Sequence, residues 1–194
     1  MSDEVISPLE PLRPYRSKSD SEVILGAQSG TSEAVRELGY RDSPESLECL
    51  RVLASREFPA SVLKAKLLDF EKVQRTARVA MVRRGDKTHL PEILSRLSSP
   101  NLYHRVLSIA ALGEIGDRRA AKYLGPFLSD TRNPPVPGCL ACPSLDSSAA
   151  GALGRLFPEV REEIVKETSK SQFLAGVDWI PWWEKNSLRF SEDM

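Results

Sequence analysis

Apolar residues in this chain recur at helical intervals, and the intervals themselves repeat. Val73, Ala77, Ala80 and Met81 stand at i, i+4, i+7 and i+8, the offsets of one helix face. His104, Ser108, Ala111 and Leu112 fill the same slots about 31 residues later, a spacing typical of helical repeats. Leu145, Ala149, Ala152 and Leu153 make a third set. Ile115 and Leu156 extend the second and third faces, and Arg84 holds that slot in the first. Small residues recur at the second and third slots, which predicts close approach between neighbouring helices. A second apolar series follows each first one: Leu90, Ile93 and Leu97 correspond to Ala121, Leu124 and Leu128. Alternating strand patterns joined by hairpin turns are missing, so the pattern predicts an all-α chain.

Turn chemistry punctuates the series. Gly85-Asp86 and Gly116-Asp117 occupy matching positions, with each glycine just past a helix end, where positive φ is common. Thr88 is a candidate cap for the helix around residues 90–97, and Ser99-Pro100 reads as an N-cap followed by proline at the first helical position. A fainter unit precedes these. Ser43-Pro44-Glu45 starts a helix carrying Leu50, Leu53 and Ala54, Phe58-Pro59 mirrors Phe157-Pro158 in the turn, and Val62, Leu63, Leu67 and Leu68 line a second helix. The count is about four helix pairs, at 44–68, 72–97, 100–128 and 145–168. An irregular bundle with chance offsets is the alternative.

At this point a resemblance enters. "HRVLSIAALGEIGDRRAAKYLGPFLSD", residues 104–130, resembles a HEAT-like repeat of the short kind named after phycobilisome lyases. Arg105, Ser108, Ala111, Leu112 and Gly113 carry the Arg-x-x-Ala-x-x-Ala-Leu-Gly pattern, with serine in the first alanine slot. Neighbouring units depart from it: Gln74 and Asp146 replace the arginine, and Val82 the glycine. The resemblance implies a short α-solenoid that binds another macromolecule, sometimes as helper to an enzyme. It also implies that the second helices line a concave surface. Contacts would then come from their off-core residues Glu92, Arg96, Lys122, Tyr123 and Phe127, with Tyr123 and Phe127 at i and i+4 as anchors.

The flanks divide the chain further. Residues 1–19 are rich in proline, serine and charge and read as a disordered leader. Residues 20–43 read as an N-terminal helical cap, 44–168 as the repeat solenoid, and 169–194 as a C-terminal capping segment. The charged "PEVREEIVKETSK" suits an end repeat with a polar outer side. Beyond it, Trp179, Trp182 and Trp183 fall on one face of a short helix. Such a stripe is more often core, here a lid over the last repeat, than an exposed partner anchor. An insert at 131–143 separates the third and fourth units; insertions of this kind map to one face of a repeat array.

Composition narrows the function classes. Twenty-seven basic residues balance 27 acidic ones, which argues against a dedicated nucleic-acid binder or an electrostatic membrane anchor. Arg75 and Arg78, with Arg118, Arg119 and Lys122, could still form a positive strip; a solvated face is the plainer reading. The start lacks a basic-then-apolar signal pattern and no stretch is long and apolar enough to span a membrane, so the chain is read as cytoplasmic. Its 3 cysteines are read as reduced. Cys139 and Cys142 form a single C-x-x-C too short of further ligands for zinc. They read as loop cysteines without chemistry, an adventitious disulfide being the open alternative. His89 and His104 have no nucleophile or carboxylate placed beside them in the sequence pattern, and His104 takes an inner-face slot. No cofactor, metal or catalytic residue is expected. The reading is a non-enzymatic interaction or scaffold module with a protein partner. A chromophore lyase-like accessory subunit and a nucleic-acid-binding HEAT protein are the alternatives.

Overall fold

A computed structural model describes residues 13–56, 64–135, 142–168, 174–190 and 194, with the side chains of 64–69 left out of the description. Every regular element among the described residues is helical, and the chain divides into two compact units, Met1–His89 and Leu90–Met194.

The first unit contains α1 (Asp20–Gln28), α2 (Ser32–Leu38), α3 (Pro44–Ser55) and α4 (Lys64–Arg83), closed by a 3-10 turn at Lys87–His89. Its helix starts follow from local chemistry. Ser19 caps α1 in a reciprocal box with Glu22, which satisfies two backbone donors the helix leaves open. Ser43 accepts the Ser46 N–H at 3.3 Å, and Pro44 follows at the first helical position. The core joins Val23 and Ala27 of α1, Val35 and Leu38 of α2, Leu50 and Leu53 of α3, and Val73, Ala77, Ala80 and Met81 of α4. The small slot at Ala80 has a specific partner. Gly39, at the end of α2, lies so close that a Cβ on it would come within 2.9 Å of the Ala80 Cβ.

In the second unit, α5 (Leu90–Ser95) runs into a 3-10 turn at Arg96–Ser98, and α6 (Leu102–Ile115) follows. The next segment is α7 (Ala121–Leu124) between 3-10 turns at Arg118–Ala120 and Gly125–Phe127. Then come α8 (Leu145–Leu156), α9 (Pro158–Thr168) and α10 (Gly176–Asn186), with a final 3-10 turn at Ser187–Phe190. The main packing is α6 on α8. A Cβ at Gly113 would sit 2.8 Å from the Ala152 Cα, so the two backbones touch where the sequence supplies glycine and alanine. Ile109, Leu112, Leu145, Ala149 and Leu153 close the seam around them. The second-series residues Leu90, Ile93, Leu97, Ala121, Leu124 and Leu128 are all buried as expected.

The Gly-Asp punctuation has a physical basis. Gly85 and Gly116 adopt φ of 91° and 80°, the left-handed conformation that glycine reaches without a Cβ penalty. The aspartate after each accepts a backbone N–H two residues on: Thr88 to Asp86 at 3.2 Å and Arg119 to Asp117 at 3.0 Å. One residue ends a helix and the next begins the following one. Gly30, at φ 93°, repeats the glycine half of the device, and Thr31 after it stands at the N-cap of α2 without a side-chain capping bond.

Several expectations are corrected. The boundary placed between 68 and 72 does not exist, because α4 is one 20-residue helix. Its sequence offers no glycine, proline or capping pair at which to stop. Asn101, not Ser99, caps α6 by accepting the Tyr103 N–H at 2.9 Å. Asp86 takes the capping role given to Thr88. His104 is exposed rather than on the inner face. It stands in the first turn of α6, where side chains lean back toward the preceding loop, and its Nδ1 lies 3.3 Å from the Ser99 hydroxyl. Residues 13–19 form hydrogen-bonded turns rather than a disordered leader. Residues 1–12, Phe58-Pro59, Val62 and Leu63 lie outside the described residues, as do the side chains of Leu67 and Leu68.

Two outcomes follow. Gly113→Ala should destabilise the chain by about 1–3 kcal/mol in urea unfolding, because overpacking at Ala152 outweighs the gain of about 1 kcal/mol that alanine brings to a helix interior. Thr88 donates through both its hydroxyl and its N–H to Asp86, and these bonds hold the Asp86 carboxyl below its usual range, with the Arg51 charge assisting. A depressed carboxylate contributes stability above its unfolded pKa and loses it as pH falls through the folded value. Asp86→Ala should therefore cost about 1 kcal/mol at neutral pH. That deficit should shrink as pH drops below about 4, as measured by urea unfolding across pH.

Candidate partner-binding surface

The five residues proposed for partner contact all lie on the short helices of the second unit. Glu92 and Arg96 are half-buried on α5 and its continuing turn, one helical turn apart, and pair at 2.7 Å. Lys122 sits on α7 with its ammonium 4.9 Å from the Tyr123 ring centroid. Tyr123 and Phe127 are half-buried. The helices are short because the sequence breaks them: Pro126 follows Gly125, and the backbone tightens to a 3-10 turn there.

The basic set is distributed differently. Arg118 donates to Glu159 at 2.7 Å and its guanidinium lies 5.0 Å from the Phe157 ring centroid. Arg119 grips Asp117 through Nε and Nη2, the latter at 2.6 Å. Arg75 and Arg78 belong to α4 in the other unit, where Arg78 Nε reaches the Ala54 carbonyl at 3.4 Å. That carbonyl is in the last turn of α3, where a cation meets the helix dipole favourably. Arg105, the arginine of the repeat pattern, donates to the Ser99 carbonyl at 2.5 Å. Its charge also adds to the pull of Arg132, which is the main cause of the lowered Asp130 pKa.

The tryptophan stripe is a lid. Trp179 is fully buried, and Trp182 and Trp183 are half-buried. Trp182 lies 4.9 Å from Phe157 and 5.9 Å from Phe190, and Trp183 stacks on Phe190 at 6.1 Å. Edge-on and offset ring pairs of this kind add to the area they bury. The lid meets bare backbone below it: a Cβ at Gly125 would fall 2.0 Å from the Trp183 indole, and one at Gly176 would fall 2.1 Å from the Leu128 carbonyl oxygen.

One cluster escaped the sequence reading. Glu37 is buried, 2% exposed, and takes two hydrogen bonds from Arg13 at 2.9 and 2.8 Å and one from Arg41 at 3.0 Å. Arg41 also donates to the carbonyls of Tyr15, Arg16 and Lys18 and pairs with Asp20. The Tyr40 ring has the Arg13 guanidinium at 3.9 Å and that of Arg83 at 4.0 Å. Two guanidiniums at that range need opposite faces of one ring. Only the paired spacing of Glu37 and Arg41 at i and i+4 hinted at this; the rest is long-range.

Among the described residues no group of three or more His, Cys, Asp or Glu is placed to hold a metal. Cys49 is free, and burial raises its thiol pKa. Cys142 is disulfide-bonded, so the expectation of reduced loop cysteines fails there. Cys139 lies outside the described residues. No helix among them is long and apolar enough to cross a membrane.

The sequence matches the HEAT repeats family over residues 60–137. Over that stretch the chain is similar to HEAT repeats. The match takes in α4, α5, α6 and α7 and both Gly-Asp pairs, so the small slots and turn residues of that stretch align with HEAT repeats, while α8, α9 and α10 lie beyond it. The narrower likeness to the phycobilisome-lyase kind has no separate support from this match. No curated protein and no solved structure matches the chain at a significant level.

Truncating Glu37 removes the shared acceptor of two arginines. Glu37→Ala should cost about 2–4 kcal/mol, toward the range for breaking a buried pair, and Glu37→Gln should cost less because it keeps the shape and part of the hydrogen bonding. Urea titration of both variants checks the order.

Proposed function

We propose that the chain is a non-enzymatic interaction module whose HEAT-like second helices receive a protein partner. Tyr123 and Phe127 supply the apolar contacts, and Glu92, Arg96 and Lys122 supply the polar rim. The observation that carries this reading is the set of half-buried aromatic and charged side chains along α5 and α7 within a HEAT-like stretch. Aromatic side chains already partly ordered by neighbours lose little freedom on binding, which suits hot spots. HEAT repeats generally serve protein–protein interaction and scaffolding, which supports the class.

A protein partner is favoured over nucleic acid. Arg118, Arg119 and Arg78 each hold an intramolecular acceptor, so phosphate would have to displace those acceptors. Nothing in the geometry favours a chromophore lyase-like role.

The test is affinity capture with the wild-type chain and with Tyr123→Ala/Phe127→Ala. The double variant should retain far-UV helicity and lose capture at least tenfold, the scale of a hot-spot pair. Undiminished capture removes this surface. Binding that collapses steeply with added salt would point to phosphate contacts instead.

A further inference from the structure

We propose that the groove built by Arg118–Ala120, α7, Gly125–Phe127 and α8 is a docking groove for an amphipathic helix bearing a tryptophan stripe. Its occupant in cis is α10 with the Ser187–Phe190 turn. This rests on the reading that the same run of short helices receives a partner, and it names that partner's chemistry.

The groove is shaped for rings. Gly125 leaves room that a single methyl would fill, and the Trp183 indole occupies it at a distance where a Cβ would lie 2.0 Å from the ring. Phe157 offers a further aromatic wall, 4.9 Å from Trp182 and 5.4 Å from Phe190. The final turn of the chain packs along α7 and the Arg118–Ala120 turn, so the segment runs along the second-helix side rather than only over the end of α8.

The occupant has the properties of a ligand. It is a self-capped helix: Asp178 accepts the Ala175 N–H at 2.9 Å, and Asn186 donates to the Trp182 carbonyl at 2.8 Å. It lays one face in the groove and leaves Val177 and Leu188 in solvent, the latter 92% exposed. The seating is imperfect at its centre, where Trp179 is fully buried with no acceptor for its indole N–H among the described residues. An orphaned buried donor opposes docking, and release to water satisfies it. A helix of the same chemistry presented by a partner then competes for the groove against a tethered segment whose effective concentration is on the order of millimolar.

All 3 tryptophans of the chain lie on α10, which makes the test clean. In the full-length chain carrying Trp179→Ala, Trp182→Ala and Trp183→Ala, a synthetic peptide of residues 174–194 becomes the sole tryptophan emitter. Titration with that variant should shift the peptide's emission to the blue with saturation. Adding Gly125→Ala to the same background should weaken binding at least tenfold. No blue shift, or no effect of Gly125→Ala, overturns the proposal. If the triple variant loses helicity, the wild-type chain decides. In urea its tryptophan emission should shift to the red at lower denaturant than the loss of far-UV helicity, and coincident transitions overturn the proposal. Neither readout involves Tyr123 or Phe127, so failure here and failure of the capture experiment are separate results.

Discussion

Backbone contact between α6 and α8 at Gly113 and Ala152 governs the second unit. Helices usually stand 8–10 Å apart, held off by their side chains. Here one helix presents no side chain and the other only a methyl group, so the two approach until a Cβ on Gly113 would lie 2.8 Å from the Ala152 Cα. That approach is what lets Ile109, Leu112, Leu145 and Leu153 interlock around the contact. It also sets where Phe157 emerges at the end of α8, and hence where the aromatic lid finds its wall. The first unit uses the same device at Gly39 and Ala80, with the helix end of α2 in place of a helix face.

Features governed by neighbouring residues were legible in the sequence. The Gly-Asp pairs were visible as punctuation because positive φ at the glycine is decided locally, whereas the capping role of the aspartates was not, since Thr88 looked like the cap that Asp86 provides. The second-series leucines were visible because burial at helical spacing leaves a periodic trace. Reading failed at helix ends and over long separations. Ser99-Pro100 looked like a start, but Asn101 offered a carboxamide to the Tyr103 N–H and won. The pairing of repeats imposed a break inside α4, although that stretch held no residue able to enforce one. The union of Arg13 with Glu37 spans 24 residues, and no local pattern announces it.

The candidate surface shows the same division. Alignment placed Tyr123 and Phe127 on one second helix; both are half-buried, Tyr123 on α7 and Phe127 in the 3-10 turn that follows it. The stripe of three indoles could be placed on one helix face by spacing. The socket could not, because Gly125 looks in sequence like an ordinary turn residue beside Pro126. Its role as the floor under Trp183 arises only when a segment more than fifty residues later, by the numbering of the chain, folds back over it.

The strap at residues 13–19 sets a practical limit on how this protein can be cut. A fragment begun at the α1 cap would preserve every helix of the first unit, yet it would strip the Arg13 fork from Glu37 and take three carbonyl acceptors from Arg41. It would also bare one face of Tyr40. The folded unit therefore includes Arg13, six residues before the first helical cap at Ser19, and a tag or fusion joined after that arginine would intrude on a buried ionic knot.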